Sequence, residues 1–358
     1  MKKVCLLFAS AASVFVQGQT LPPTAQALYN EFYNADVTRG QYAVNNGAQA
    51  FATADGNTFY LKWVPAGATA SATPLLVSLH GSSGNAFNEF YLWHQQAQAK
   101  GVGIIALQWY RGAASVSPND YFDDPAIYSY VDTALRRIKY PSNRAFLHGF
   151  SRGSARSYAI AFYDGQSSGK NYFCTVLSNS GKADSLYPLY AQINSGNYGH
   201  ALYTGKKWAM FCGGQDPQPS QSGCQAMANA KSWVQANGGN VGLYISDPNL
   251  GHGGFHQTPA YIDSSLNYYL SCYAAPTALR TQPNFKTTCV FPNPAGNVLN
   301  VNTGNTALSS EIRIMDVAGV MRLTLNIGAG ANSIDISCLP PGLYAVMVGE
   351  EKFRIMKE

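Results

Sequence analysis

Short apolar runs alternate with helical stretches through the middle of the chain, and this pattern constrains the fold more than any other feature. The apolar runs are Pro74–Leu79, Gly103–Gln108, Arg144–His148, Phe173–Asn179, Lys207–Cys212 and Val241–Ile245. Helical spacing is found in Ala126–Ile138, Arg152–Tyr163, Gln225–Asn237 and Thr258–Leu270. Because crossover helices join parallel strands and cover both faces of a sheet, the alternation predicts an α/β fold with a mostly parallel sheet. Asp55-Gly56-Asn57, between the alternating runs Gln49–Ala54 and Thr58–Val64, predicts an antiparallel hairpin before it.

A glycine-flanked serine stands at one junction between a predicted strand and a predicted helix. The segment Gly149-Phe150-Ser151-Arg152-Gly153 directly follows Arg144–His148 and opens the next helical stretch. A sharp strand-to-helix turn lifts a serine hydroxyl out of the sheet, and the flanking glycines let neighbouring backbones approach. The helix N-terminus also favours developing negative charge. We predict that Ser151 is a nucleophile; the alternative is an ordinary serine in a glycine-rich turn.

A glycine-rich loop ends the strand Pro74–Leu79 upstream of this serine. It reads His80-Gly81-Ser82-Ser83-Gly84-Asn85. Such a loop supplies one backbone N–H of an oxyanion hole, and the residue after the nucleophile, Arg152, supplies the other. Ser82 is the predicted upstream donor, with Ser83 as the second choice and a plain turn as the alternative.

An acid and a histidine follow two later strands, in the chain order of a Ser–Asp–His triad. Asp216 lies after Lys207–Cys212, and Asp247 offers a competing carboxylate. His252 lies before the last helix, and His256 is its rival. We predict that His252 is the general base for Ser151 and that Asp216 orients its ring.

The ends of the chain differ from the middle. Met1-Lys2-Lys3 followed by the apolar stretch Val4–Val16 predicts a signal peptide over residues 1–19. No other segment approaches the roughly 20 apolar residues of a membrane helix, so we predict no membrane span. Residues 273–288 contain two prolines and lack a period, which predicts a linker after a domain of residues 20–272.

Six short alternating runs fill residues 289–358 and predict a small β-sandwich. They are Val298–Val301, Glu311–Val317, Met321–Ile327, Ser333–Ile336, Leu343–Val348 and Lys352–Ile355.

Charge and cysteine usage narrow the function classes. The net charge of +5 comes from 24 basic and 19 acidic residues without a run of one sign, which argues against nucleic-acid binding. After export six cysteines remain, and an oxidising compartment favours disulfides. Metal-type pairs of Cys and His are absent from the sequence. Cys212 and Cys224, the closest pair, are predicted to form a bridge.

The segments around Ser82, Ser151, Asp216 and His252 together resemble the α/β-hydrolase superfamily over about residues 50–272. The loop His80–Asn85 resembles that of secreted esterases and polyester depolymerases, which include feruloyl and acetylxylan esterases. This resemblance implies an ester substrate, polymeric esters included, and no cofactor. Arg152 departs from it, since such esterases more often carry a small or apolar residue there.

The end of the chain resembles the type A sorting domain of the type IX secretion system. The resemblance rests on Phe291-Pro292-Asn293-Pro294, Ile312–Gly319, Leu339–Tyr344 and Lys352–Ile355. It implies a partner in the type IX machinery of Bacteroidota, passage through the outer membrane and removal of this domain. The bottom-up alternative is a carbohydrate-binding sandwich. If the domain is removed, disulfides should not cross the linker, and we therefore predict a bridge between Cys289 and Cys338.

Three functions are consistent with these patterns. The leading hypothesis is a secreted serine carboxylic ester hydrolase acting on a polymer-linked or aryl ester; a serine peptidase and a non-catalytic surface binding protein are the alternatives. Aromatic residues near the oxyanion loop or the next strand are Trp93, Trp109, Tyr110, Tyr121 and Phe122. Of these we predict that Trp109 and Tyr110 contact the substrate, with core packing as the alternative.

Overall fold

The computed structural model divides the chain into two compact units, Met1–Ala275 and Pro276–Glu358. It describes residues 20–115, 119–166, 169–183, 188–199, 201–273, 289–291, 294–303, 310–328, 331–349 and 351–358. The predicted signal peptide and all of the predicted linker except Tyr273, which ends a helix, lie outside these residues. No helix in the described ranges combines the length and the hydropathy that crossing a bilayer requires.

The first unit contains an eight-stranded, mostly parallel sheet in the order β1-β2-β4-β3-β5-β6-β7-β8. The strands are β1 (Gln49–Ala52), β2 (Phe59–Trp63), β3 (Leu75–Leu79), β4 (Gly103–Leu107), β5 (Ala145–Phe150), β6 (Phe173–Asn179), β7 (Lys207–Gly213) and β8 (Asn240–Asp247). β2 pairs antiparallel with both β1 and β4, and every later pairing is parallel. The predicted hairpin and parallel sheet are confirmed, and the order defines an α/β-hydrolase fold.

Helices cover both faces of this sheet because successive side chains of a strand point to opposite sides. In β3, Val77 belongs to the apolar cluster on one face and Leu76 to the cluster on the other. Residues of α4, α5 and α7 build the first cluster, and residues of α1, α3 and α9 build the second. The helices are α1 (Pro23–Ala35), α2 (Val37–Asn45), α3 (Ala86–Ala99), α4 (Asp124–Arg137), α5 (Arg152–Gly165), α6 (Pro188–Asn194), α7 (Cys224–Ala236), α8 (Gly254–Gln257) and α9 (Pro259–Tyr273).

Two parts of the first unit go beyond the sequence-based expectations. Residues 23–45 form α1 and α2, and Phe32 of α1 packs into the second cluster. α3 begins directly after the glycine-rich loop, where the Asn85 side chain accepts a hydrogen bond from the backbone N–H of Asn88. This is a typical N-cap, so the helix follows the loop without a gap.

The second unit is a β-sandwich of a three-stranded sheet, β13-β10-β9, and a four-stranded sheet, β12-β11-β14-β15. Its strands are β9 (Cys289–Phe291), β10 (Val298–Asn302), β11 (Ser310–Asp316), β12 (Met321–Ile327), β13 (Ala331–Asp335), β14 (Gly342–Val348) and β15 (Glu351–Lys357). Side chains from both sheets, among them Leu299, Ile314 and Val346, share one apolar core. The predicted sandwich is confirmed.

The predicted bridge between Cys289 and Cys338 is wrong: Cys338 is an exposed free thiol. β10 lies between β9 and β13, and Cys289 pairs with Asn302 at one end of β10. Cys338 follows β13 beyond Asp335, which pairs with Val298 at the other end of β10. Four residues along a strand span about 13 Å, whereas the Cα atoms of a disulfide lie within about 7 Å.

Candidate active site

The turn between β5 and α5 holds Ser151 in a strained backbone conformation. Ser151 has φ 53° and ψ −115°, in a region of positive φ that few residues other than glycine adopt. A Cβ on Gly149 would lie 2.1 Å from the carbonyl oxygen of Gly153, and one on Gly153 would lie 2.3 Å from that of Leu79. Both flanking residues must therefore be glycine, and the tight turn presents the Ser151 hydroxyl beyond the strand end.

A hydrogen-bonded chain joins Ser151 to the predicted histidine and acid. The Ser151 Oγ lies 2.8 Å from Nε2 of His252, and Nδ1 of His252 lies 2.7 Å from Oδ2 of Asp216. The three residues follow β5, β8 and β7, so all stand at the carboxyl edge of the parallel sheet. The side chain of His252 is 30% exposed and that of Asp216 is 1% exposed, so the imidazole is accessible while the carboxylate is enclosed.

The Asp216 carboxylate is fixed by its own loop. Its Oδ1 accepts hydrogen bonds from the backbone N–H of Gln218 at 2.8 Å and from the hydroxyl of Ser222 at 2.9 Å. The predicted disulfide between Cys212 and Cys224 is confirmed and closes this loop at its two ends. One carboxylate oxygen is thus held by the loop, which leaves Oδ2 for the imidazole.

The rival residues lie in other environments. Asp247 accepts a hydrogen bond from the hydroxyl of Tyr261 at 2.5 Å, and this bond lowers the pKa of the carboxyl. Nε2 of His256 is buried and has no hydrogen-bond partner in the part of the chain that the structure describes. Burial lowers the pKa of His256 to about 3, so the ring is neutral at ordinary pH. Ser151 and Asp216 contact His252 instead.

The glycine-rich loop after β3 lies against the nucleophile. A Cβ on Gly81 would be 3.3 Å from Cβ of Ser151. The backbone N–H of Ser83 already donates to the Tyr121 hydroxyl at 2.8 Å, whereas the N–H of Ser82 has no partner among the described residues. With the N–H of Arg152 at the start of α5, the N–H of Ser82 is therefore the available donor beside Ser151.

A buried histidine anchors this loop to β4. Nδ1 of His80 donates to the carbonyl of Gly81 at 2.8 Å, and Nε2 accepts from the backbone N–H groups of Trp109 and Tyr110 at 3.3 and 3.4 Å. These partners require the neutral ring with its proton on Nδ1. Burial lowers the pKa of His80 to about 4, which agrees with that state.

Tyr121 connects the two sides of the candidate oxyanion hole. Its hydroxyl binds the loop at Ser83, and the Arg152 guanidinium lies over its ring, 4.2 Å from the centroid. Asp120 lies 3.8 Å from the same guanidinium. The sequence placed Tyr121 only among several nearby aromatic residues, because a contact across 38 residues leaves no local pattern.

The two predicted substrate contacts are placed differently. Trp109 is completely buried; its indole donates to the His80 carbonyl and stacks on the His80 ring. Trp109 therefore packs in the core and does not face a substrate. Tyr110 and Tyr121 are partly exposed, with ring centroids 5.1 Å apart.

A second cluster of ionisable side chains lies beneath the turn. One nitrogen or oxygen atom from each of Glu89, His148 and His256 lies within 4.8 Å of the other two. In the described part of the chain, this is the one group of side chains whose composition could suit a metal ion. The Ser78 hydroxyl donates to Glu89 at 2.5 Å and lies 2.9 Å from Nδ1 of His148. Zinc ligands lie about 2.0–2.2 Å from the ion, so the three residues would have to close in and exchange these bonds. The cluster is an internal hydrogen-bond network in this arrangement.

Comparisons with known proteins identify the C-terminal unit. Residues 289–358 match the family described as secretion system C-terminal sorting domain. The chain therefore carries a type IX sorting domain and is secreted or displayed at the cell surface. No curated protein matches the chain in sequence.

Solved structures similar to this chain include esterases at low sequence identity. A carboxylesterase from Bacillus cereus is 14% identical, with 66% of this chain and 99% of that chain covered and a TM-score of 0.42. Esterase LipW from Mycobacterium marinum is 12% identical, with 71% and 92% covered and a TM-score of 0.48. Est1E from Butyrivibrio proteoclasticus is 12% identical, with 63% and 99% covered and a TM-score of 0.46.

Proposed function

We propose that this protein is a secreted serine carboxylic ester hydrolase that acts through an acyl-enzyme on polymer-linked or aryl esters. The observation that carries the proposal is the connected chain from Asp216 through His252 to Ser151. Each ring nitrogen of His252 has a separate partner, which is the arrangement that general-base activation of a serine requires.

The chemistry follows from these contacts. Ser151 Oγ attacks the ester carbonyl carbon while its proton passes to Nε2 of His252, and the Asp216 carboxylate stabilises the imidazolium. The carbonyl oxygen becomes an oxyanion, which the N–H groups of Ser82 and Arg152 bind. When the tetrahedral intermediate collapses, the proton on Nε2 passes to the leaving alcohol. A water molecule then releases the acid by the same steps.

Two features support a large or aromatic substrate. The imidazole of His252 is partly exposed, so an ester attached to a bulky polymer can reach Ser151. Tyr110 and Tyr121 offer partly exposed rings beside the loop of Ser82, and such rings pack on aryl groups or sugars. Export through the sorting domain agrees with a substrate outside the cell.

A hydrolysis panel with purified protein tests this function. The substrates are an aryl acetate, acetylated xylan, feruloylated arabinan, an aliphatic polyester and a peptide, each assayed beside the Ser151→Ala variant. We expect ester turnover by the wild type alone and an acyl adduct on Ser151 in a rapid acid quench. Amide turnover without ester turnover would favour a peptidase, and equal activity of the two proteins would exclude Ser151 as the nucleophile.

A further inference from the structure

Two cysteine sulfurs meet between the sheet and the last helix of the first unit. Cys174 lies in β6 and is completely buried, and Cys272 is the penultimate residue of α9. Sγ of Cys272 lies 3.8 Å from the carbonyl oxygen of Cys174, and both side chains belong to the same apolar cluster. The two residues are 98 positions apart, so the fold alone brings them together.

The surroundings of these sulfurs suit neither catalysis nor metal binding. A hydrogen bond with the Cys272 thiol, followed by burial, raises the pKa of Cys174. A thiol with a raised pKa is a poor nucleophile and a poor metal ligand, because both roles need the thiolate. Because the two residues are in contact, their sulfurs can still react with each other once an oxidant is present: the attack is intramolecular, and a small thiolate fraction suffices.

The protein meets oxidising conditions on its route. Its sorting domain assigns it to export, and exported proteins keep disulfides that the cytosol would reduce. The first unit already contains the Cys212–Cys224 disulfide. An oxidant that forms that bond also meets the second pair of thiols in the same unit.

We propose that Cys174 and Cys272 form a second disulfide, which fastens α9 to β6 in the exported protein. The two thiols lose two protons and two electrons, and the acceptor is the disulfide of a thiol oxidoreductase or of a small-molecule disulfide. The more accessible Cys272 attacks that acceptor and forms a mixed disulfide. Cys174 then attacks the sulfur of Cys272 and releases the reduced acceptor.

The bond would hold α9, which contacts the starts of the two strands whose far ends carry the candidate site. α9 contributes Tyr269, whose hydroxyl accepts from the N–H of Leu75 at 2.8 Å and donates to the carbonyl of Arg144 at 2.6 Å. α9 thereby braces the starts of β3 and β5, whose far ends carry the loop of Ser82 and the Ser151 turn. The disulfide would stabilise this support without touching the reacting groups.

Tryptic peptide mapping tests the bond directly in the exported wild-type protein. The protein is denatured and blocked with N-ethylmaleimide without reduction. Trypsin then places Cys174 alone in Asn171–Lys182, Cys272 alone in the peptide that begins at Ser232, and Cys212 with Cys224 in Trp208–Lys231. We expect the first two peptides to be joined and to separate on reduction. N-ethylmaleimide on both cysteines would overturn the proposal.

A melting experiment provides a second, independent readout. In a Cys212→Ala/Cys224→Ala/Cys338→Ala variant, reductant acts on the proposed bond while the known bridge is absent. We expect reductant to lower its Tm by roughly 5–15 °C, as expected for a bond that closes a loop of about 100 residues. Adding Cys272→Ala gives the matched control, in which reductant should leave Tm unchanged. An equal Tm with and without reductant in the first variant contradicts the bond.

Discussion

Among its described residues, the first unit contains two serine–histidine–carboxylate clusters, and they differ in how the same groups are connected. In the open cluster, Ser151 and Asp216 contact different nitrogens of His252. In the closed cluster, the Ser78 hydroxyl lies 2.9 Å from Nδ1 of His148, and a Glu89 carboxylate oxygen lies 3.5 Å from the same nitrogen. The Ser78 hydroxyl also donates a hydrogen bond directly to the Glu89 carboxylate. In a triad, the serine and the acid contact different nitrogens of the imidazole. In the closed cluster both contact the same nitrogen, so the acid cannot hold the ring while the other nitrogen takes the serine proton.

Burial separates the clusters further. Burial alone would raise the pKa of Glu89, but its contacts with His148 and Ser78 lower the pKa to about 2. The closed cluster is therefore a buried hydrogen-bonded network that fastens α3 to β5. The comparison teaches that residue types alone do not define a catalytic site; connectivity and access do.

The largest contrast is expected from removing the two serines. Ser151→Ala should lower kcat for an aryl ester by about 10⁴–10⁶-fold, because no other group can form the acyl-enzyme. Ser78→Ala should leave kcat within about threefold and lower the free energy of unfolding by about 1–3 kcal/mol, since a buried carboxylate loses a donor. Steady-state kinetics and urea unfolding measure both. A comparable loss of kcat in Ser78→Ala would break the distinction between the clusters.

The two aspartates that follow neighbouring strands give the next largest contrast. Asp216→Asn should lower kcat about 10³–10⁴-fold, because an amide favours the wrong tautomer of His252. Asp247→Asn should change kcat less than about fivefold, since Asp247 pairs with Tyr261 on the surface. The reverse ranking in the same assay would assign the orienting acid to Asp247.

Stability should depend on pH through His80, the buried histidine of the glycine-rich loop. The pKa of His80 is about 4 in the folded chain, below its ordinary value of 6.5. Between these values the unfolded chain binds a proton that the folded chain does not, so stability is full above about pH 6.5 and falls as the pH drops towards 4. From pH 7 to 5 the wild type should lose about 2 kcal/mol more than His80→Gln, by urea unfolding at each pH. Parallel pH profiles of the two proteins would contradict this assignment.

The smallest effect concerns the support of the open cluster. Tyr121→Phe removes the acceptor for the Ser83 N–H but keeps the ring beneath Arg152. We expect kcat to fall about tenfold with little change in KM, because the loop that aims the Ser82 N–H loosens. Tyr110→Phe is the matched control and should stay within about twofold. A change confined to KM would assign Tyr121 to substrate contact instead.

Much of the architecture could be predicted because local sequence patterns dictate it. The apolar run and spacing around β5 and α5 forced a strand-to-helix turn, and the contacts at Gly149 and Gly153 explain why that turn needs glycine. The sandwich followed from period-two alternation. α3 was not predicted, although Asn85 as N-cap and the spacing of Phe87, Phe90 and Trp93 are typical of a helix that begins there.

In the sequence, the choice among chemically equivalent residues rested on chain order alone, and the tertiary contacts decide it. Whether Asp216 or Asp247 faces His252 depends on strand order and on loops that fold far apart in sequence. Burial of Trp109 depends on its packing against His80, 29 residues away in the chain. The error at Cys289 and Cys338 arose because pairing by elimination ignores where strands end.

The sequence by itself determined the parallel sheet, the serine turn, the Ser–Asp–His chain order and the sorting domain, since each is written in spacing or in a contiguous motif. Only the tertiary structure decided which imidazole meets the serine, which loop N–H stays available and which cysteines lie together. Those outcomes depend on distances of a few ångströms between segments up to about a hundred residues apart. Long-range packing sets such distances, and no local pattern encodes them.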